Sequence, residues 1–159
     1  MLALQRILMA TDFSAYSKEA FDYAVYLAKS LGADLYLLHV FEPPFYPPPG
    51  MPLKVPPDVH RWIAELKEEE SKRLKALVDE AQQKGAKVHT IFKEGEPFVE
   101  ILKTAEEITA DLIVLSTHGR TGLVRILMGS VAERVVRRAP CPVLTVRPKA
   151  FVGAQEEKR

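Results

Sequence analysis

The 159-residue chain has a single cysteine, Cys141, so it can form neither an internal disulfide nor a cysteine-cluster metal site. Its 22 basic and 21 acidic residues nearly cancel and leave a formal net charge of +1. That balance creates no overall field to attract nucleic acid, so we expect no nucleic-acid partner. The histidines are also scattered without metal-ligand spacing. The sequence therefore predicts no metal site formed by protein residues alone.

Long hydrophobic runs are missing as well. No segment approaches the roughly 20 apolar residues of a membrane span, so we expect no membrane partner. Residues 1–8 lack the h-region and cleavage site of a signal peptide. Together with the single cysteine, these absences predict a cytoplasmic protein. The length suits one domain with one sizeable core.

What the sequence does contain is a regular alternation of strand and helix patterns. Apolar runs predict strands at residues 4–9, 34–40, 112–115 and 143–146, and an alternating pattern predicts an edge strand at 86–93. Apolar residues at helical spacing predict helices over residues 17–31, 58–84, 98–110 and 130–138. Asp12 or Ser14 is expected to cap the first helix, and Gly32 to end it. The alternation predicts one α/β domain over residues 1–150. The expected architecture of this domain is a doubly wound, five-stranded parallel sheet of order 3-2-1-4-5 with helices on both faces.

Three further segments are interpreted from their composition. Eight of the fifteen residues at 43–57 are proline, which predicts an extended loop or lid after the second strand. A ligand for a proline-reading domain is the alternative. The charged run at 67–73 is interpreted as a solvated helix face with pairs Glu68–Lys72 and Glu69–Arg73. Residues 151–159 predict a flexible tail.

A candidate ligand site follows from the predicted sheet. In doubly wound sheets, ligands bind beyond the carboxyl ends of the strands at a topological switch point. Residues 10–14, 39–42 and 116–122 are the polar loops expected there. In the last of these, a buried strand enters a glycine-containing loop, and Gly129 and Ser130 follow at a helix start. This layout is typical of an anion site. The alternative is a connection whose glycines serve only tight turns.

Several motifs in this sequence carry a family resemblance. They are I-L-M-A-T-D-F-S, L-H-V, D-L-I-V-L-S-T-H-G, L-M-G-S-V and P-C-P-V-L-T-V-R-P. Over residues 4–148 the chain resembles a universal stress protein. The nucleotide-binding branch of that family has a glycine, two residues, a second glycine, nine residues, and a third glycine followed by serine or threonine. Gly119, Gly129 and Ser130 match this pattern, whereas Ser116 stands at the first glycine.

The resemblance implies ATP, alone or with Mg²⁺, as the ligand. It places Ala10, Thr11 and Asp12 beside the nucleoside, with adenine held by the Val40 backbone. Asp12 would orient a ribose hydroxyl or the Mg²⁺ shell, unless it serves chiefly as a cap. The remaining implied contacts are to ribose and phosphates, from Ser116, Thr117, His118, Gly119, Arg120, Thr121, Gly122, Gly129, Ser130 and Val131. Arg125 is a further phosphate candidate, or else an exposed solubilising residue.

Three functions are consistent with these residues. The first is an ATP-binding stress-response regulator or sensor with slow hydrolysis at most and no assigned catalytic residue. The second is a dimeric interaction protein that binds no nucleotide, which Ser116 favours. The third is an adenine-nucleotide-dependent enzyme, for which His39 and His118 are the candidate acid–base pair. The last strand, at 142–147, is an expected sheet edge, and the resemblance implies a homodimer through it.

Overall fold

The structure is a computed structural model that describes residues 3–45, 50, 55–120 and 128–149. Strands and helices alternate along the described chain, as the sequence predicts. Their bounds are β1 (Arg6–Thr11), α1 (Ala15–Leu31), β2 (Asp34–Phe41), α2 (Pro57–Gln83), β3 (Lys87–Glu94), α3 (Pro97–Glu107), β4 (Leu112–Ser116), α4 (Ser130–Arg138) and β5 (Val143–Val146).

The five strands form one parallel sheet of order β3-β2-β1-β4-β5. This confirms the predicted fold class and strand order, with β3 and β5 at the edges. The order reverses direction at β1, which pairs with β2 on one side and with β4 on the other. The carboxyl ends of these three strands therefore meet at the switch point of the sheet.

Side chains alternate along the inner strands and pack on both faces of the sheet. Ile7 and Met9 of β1 pack with α1 and α2, while Leu8 packs with α3 and α4 on the opposite face. All three are fully buried, and burying such a side chain contributes about 1.5–3 kcal/mol. Because helices cover both faces, the inner strands have nearly continuous hydrophobic sequences.

Several element boundaries differ from the predicted ones. β1 begins and ends two residues later than residues 4–9, because its backbone ladder with β2 continues through Ala10 and Thr11 after the apolar run has ended. α3 ends at Glu107, since Thr109 adopts a left-handed φ of 48°. At α1, Ser14 is the N-cap and accepts the Ser17 N–H, and Gly32 ends the helix at φ 64° as predicted.

Some sequence predictions concern residues outside the described part of the chain. These are the tail at 151–159 and most of the proline-rich segment, namely 46–49 and 51–54. In the described ranges, none of the helices is both long enough and apolar enough to cross a bilayer.

A cluster of four charges joins α1 to α2. The Lys18 and Lys84 ammonium groups both contact the carboxylates of Asp22 and Glu80, at distances from 2.6 to 3.0 Å. Burial raises the pKa of Asp22, but the hydrogen bonds from Lys18 and Lys84 outweigh it and leave that pKa below its ordinary value. Hydrogen bonds from Lys84 and Lys18 likewise lower the pKa of Glu80. Ionised carboxylates therefore favour the folded state.

We predict that the double variant Asp22→Asn/Glu80→Gln is less stable than the wild type at pH 7, by about 1 kcal/mol, because exposed ion pairs are weak. Both folded-state pKa values are depressed, so the contribution is present above the ordinary values of 3.8 and 4.5. It is lost as the pH falls through the lower folded values, so the stability difference between the two proteins should shrink on acidification below the ordinary values. Urea unfolding followed by circular dichroism measures the difference.

The matched control is Glu69→Gln, which removes an ion pair within α2 alone and should change the unfolding free energy less. A stability gap between the double variant and the wild type that stays constant from pH 7 to pH 3 would contradict the prediction.

Candidate functional site

A cleft of about 280 Å³ opens at the carboxyl ends of β1, β2 and β4. Every predicted site residue that the structure describes lines it: Ala10, Thr11, Asp12, Val40, Ser116, Thr117, His118, Gly119, Arg120, Gly129, Ser130 and Val131. Thr121, Gly122 and Arg125 lie outside the described residues. The sheet topology thus brings together the loops after β1 and β4, which are more than 100 residues apart in the chain, and the end of β2.

Other residues line the same cleft without having been predicted. They are Ser17, Pro97, Ile101, Leu115 and Ala132, whereas His39 and Glu42 belong to the predicted loop at 39–42. Ile101 and Ala132 are buried residues of α3 and α4, and the sequence pattern marks them only as apolar helix positions. Their place in the cleft follows from how both helices pack across the sheet.

The Asp12 carboxylate joins two of the loops that form the cleft. Its Oδ1 atom accepts the Ser14 N–H and its Oδ2 atom accepts the Arg120 N–H, each at 2.9 Å. In return, the Arg120 Nε–H donates to the Asp12 carbonyl oxygen at 2.9 Å. Asp12 is therefore not the helix cap; it holds the loop after β4 against the loop after β1.

Gly119 lies where this contact leaves no room for a side chain. A Cβ atom at residue 119 would sit 2.6 Å from Asp12 Oδ2, closer than van der Waals contact allows. Gly119 is not among the described residues with positive φ. The glycine thus serves the close approach of the Asp12 carboxylate rather than an unusual backbone conformation.

Ser116 departs from the glycine pattern without backbone strain. It is absent from the residues of positive φ, and its Oγ atom accepts the His118 N–H at 3.3 Å. Its side chain is thus turned toward its own loop, and the residue is 9 % exposed at the cleft wall. The conformation of residue 116 therefore requires no glycine.

The start of α4 forms the opposite wall of the cleft. Gly129 is the N-cap residue and supplies no side-chain acceptor to the first turn. Its own N–H donates to the Thr117 carbonyl oxygen at 2.6 Å, and a Cβ atom there would lie 3.3 Å from that oxygen. The first N–H groups of a helix have no partner within the helix. Ser130 and Val131 therefore bring donors and the positive end of a helix dipole to the cleft.

The two candidate acid–base histidines are both engaged within the protein. His39 is 2 % exposed; its Nδ1 lies 2.8 Å from the Thr11 carbonyl oxygen and its Nε2 lies 2.7 Å from Glu70 Oε2. The His118 Nδ1 lies 2.9 Å from the Thr117 hydroxyl. Both nitrogens of His39 are thus used in structural contacts, and this geometry gives His39 no direct acid–base role.

Glu70 corrects the interpretation of residues 67–73 as a wholly solvated face. The predicted pairs Glu68–Lys72 and Glu69–Arg73 form on that face. The Glu70 side chain is only 16 % exposed, and it contacts His39 and, at 3.2 Å, the Arg120 guanidinium. A run of three glutamates gives no sign of which one turns inward, because that depends on the position of α2 over β2.

The charged side chains of the cleft are suited to a metal ion only when a bound ligand carries that ion. Within the described ranges, no three His, Cys, Asp or Glu side chains are close enough together to hold a metal ion. Asp12 is the carboxylate whose oxygens lie beside the start of the glycine loop. Each of its oxygens keeps acceptor capacity beyond one N–H bond, which suits a hydroxyl or a water of a Mg²⁺ shell.

Comparisons of the sequence and of the structure with known proteins point to the same family. The model of the Universal stress protein family matches residues 3–147. The universal stress protein MJ0531 of Methanocaldococcus jannaschii is 44 % identical over 147 residues, which are 90 % of this chain and 82 % of that protein. The structure of the universal stress protein UspA from Lactobacillus plantarum matches with a TM-score of 0.77 and 27 % identity, over 92 % of this chain and 100 % of that one.

A third match is the crystal structure of a universal stress protein in complex with cAMP. Its TM-score is 0.69 and its identity 25 %, over 92 % of this chain and 98 % of that one. The family model spans all of the described residues that form the sheet and the cleft. The chain described here belongs to the universal stress protein family.

Proposed function

We propose that this chain binds ATP, with Mg²⁺, in the cleft and acts as a cytoplasmic stress-response regulator or sensor that hydrolyses the nucleotide slowly at most. The observation that carries the proposal is the start of α4. It has no capping side chain, and it lies across the cleft from the polar loop that follows β4. Helix starts of this kind bind phosphate groups.

The inner part of the cleft suits a nucleobase. Val40 at the end of β2, Ile101 of α3 and Leu115 of β4 supply apolar walls. Polar edges of the base then need only a few partners, and backbone groups near Val40 are suited to this role. A cleft of about 280 Å³ is close to the lower end of the usual range for small-molecule sites, about 300–1,000 Å³.

The outer part suits ribose and phosphates. Ser130 adds a hydroxyl to the backbone donors of the α4 start, and Asp12 provides acceptors for ribose hydroxyls. The related universal stress protein crystallised with cAMP supports an adenine nucleotide as the ligand class. An enzyme of ordinary turnover is disfavoured, since both nitrogens of His39 are engaged.

We predict that the purified protein carries or binds adenine nucleotide. Mass spectrometry of the supernatant after heat denaturation should detect it, and millimolar MgATP should raise the melting temperature, because a ligand that binds only the folded state stabilises it. Turnover should stay below about 1 s⁻¹. The absence of nucleotide, together with no stabilisation by MgATP or cAMP, would overturn the proposal in favour of an interaction protein that binds no nucleotide.

We predict that Gly119→Ala weakens MgATP binding about tenfold or more, as measured by titration calorimetry. The new methyl group would displace the Asp12 carboxylate, and losing a hydrogen bond to a charged acceptor costs about that much. The matched control is Asp12→Ala, in which the methyl group at residue 119 meets no carboxylate. Adding Gly119→Ala to that background should cost little further affinity. Equal losses in both backgrounds would contradict this explanation.

The interaction-protein alternative retains one supporting observation, the Ser116 side chain at the cleft wall.

Both alternatives include a homodimer through residues 142–147. Within the described residues β5 pairs only with β4, so its outer edge offers backbone groups to a second copy. The Val146 carbonyl oxygen accepts the Thr117 N–H and so faces β4. Backbone groups alternate in direction along a strand, so those of Thr145 face outward.

We predict that light scattering at micromolar concentration gives about twice the chain mass of 17.8 kDa. Thr145→Pro should shift the protein toward the monomer, because proline removes the outward N–H while the ladder to β4 remains. Circular dichroism would verify that the variant is folded. A wild-type protein that is already monomeric would refute the dimer.

A further inference from the structure

Glu70 is a carboxylate that α2 holds inside the structure while its neighbours face solvent. The side chains of Glu68 and Glu69 are 68 % and 57 % exposed, and each pairs with a basic residue one turn further along α2. The Glu70 side chain is 16 % exposed and contacts no basic residue of its own helix in the described structure. Its partners come from the sheet and from the loop after β4.

The two carboxylate oxygens of Glu70 bridge two different elements. Oε2 lies 2.7 Å from His39 Nε2 at the end of β2, and Oε1 accepts from the Arg120 guanidinium at 3.2 Å. Arg120 in turn donates to the Asp12 carboxylate and carbonyl oxygens. Glu70 thus connects α2 to the contacts that hold the cleft loops together.

The bridge also requires a proton. The His39 Nδ1 faces a carbonyl oxygen, which only accepts, so this nitrogen must donate. The His39 Nε2 faces a carboxylate oxygen, and that contact needs a second proton, either on the imidazole or on Glu70. The pair therefore holds one proton more than a neutral histidine beside an ionised glutamate.

We propose that Glu70 is a positioning residue of the cleft: its protonated bridge from His39 to Arg120 holds residues 117–120, which follow β4, in the geometry that binds the nucleotide. This inference rests on the proposed nucleotide-binding function. It assigns Glu70 no contact with the nucleotide. Its effect passes through Arg120 to Asp12 and the backbone at Gly119.

Few charged groups surround this pair in the described structure. β1 contributes the Thr11 carbonyl oxygen to His39, and β3 contributes the uncharged ring of Phe92, with ring centroids 5.6 Å apart. The ring of Phe13 after β1 lies 4.2 Å from the imidazole. Glu70 from α2 faces the imidazole, and the Arg120 guanidinium faces Glu70 from the other side. The imidazole and the Arg120 guanidinium are therefore the partners on which the position of the Glu70 carboxylate depends.

The first test needs no nucleotide. In the Glu70→Ala variant, hydrogen exchange of the Arg120 backbone N–H should be at least about tenfold faster than in the wild type, because Arg120 loses a charged partner. Glu69→Ala, which removes only the pair with Arg73, is the matched control and should leave this exchange rate unchanged. Equal rates in both variants and the wild type would overturn the bridge.

The second test measures affinity for MgATP and cAMP by titration calorimetry. Glu70→Ala should weaken binding about tenfold, and Glu69→Ala should not change it. Circular dichroism verifies that both variants are folded. If the wild type binds neither nucleotide, the proposed function fails, and the exchange test alone decides whether the bridge exists. If the wild type binds and Glu70→Ala binds equally well, the positioning role is wrong.

The third test concerns the proton. A glutamine at residue 70 donates from its amide to a neutral His39 and accepts from Arg120 through its carbonyl oxygen, so it completes the bridge without the extra proton. Glu70→Gln should therefore restore the affinity lost in Glu70→Ala. Failure of glutamine to restore the affinity would overturn the protonated bridge.

Discussion

The Asp12 carboxylate is the contact on which the geometry of the cleft depends. β1 and β4 are neighbours in the sheet, so the loops that follow them leave the same edge side by side. Asp12 joins those loops by accepting N–H groups from Ser14 and Arg120. This close approach explains why Gly119 has no side chain, and it directs Arg120 toward Glu70. The loops after β1 and β4 and the helix α2 are thus held together at the mouth of one cleft.

The sheet itself was predictable because its constraints are local and repetitive. Apolar runs of strand length alternate with helical patterns, and parallel strands connected by helices are nearly always right-handed crossovers. The start of α4 at Ser130 and the edge position of β5 follow from such patterns. The end of β1 does not, because the backbone ladder to β2 continues through Ala10 and Thr11 irrespective of side-chain polarity.

The sequence predicted the loops that line the cleft, but neither the contacts between them nor the lining residues of α3 and α4. Loop positions at the switch point and a glycine motif select Asp12, Gly119 and the α4 start. Glu70 has no such signal, because its role depends on the angle at which α2 lies over β2. Gly119 shows the same limit. A glycine in a loop suggests a positive φ, whereas the structure gives an ordinary φ and a carboxylate 2.6 Å from the missing Cβ.

The charges around the cleft determine how an anion would be held there. Asp12 and Glu42 line the cleft and Glu70 lies behind it, while Arg120 is the basic side chain among the described lining residues and is already engaged with Asp12 and Glu70. Side-chain charge therefore opposes a polyphosphate. Under the proposed function, its binding must come from the backbone donors and dipole at the start of α4, and from the Mg²⁺ that accompanies the nucleotide. Under the same proposal, Gly129 and Ser130 at the helix start are expected to contribute more to anion binding than Arg120.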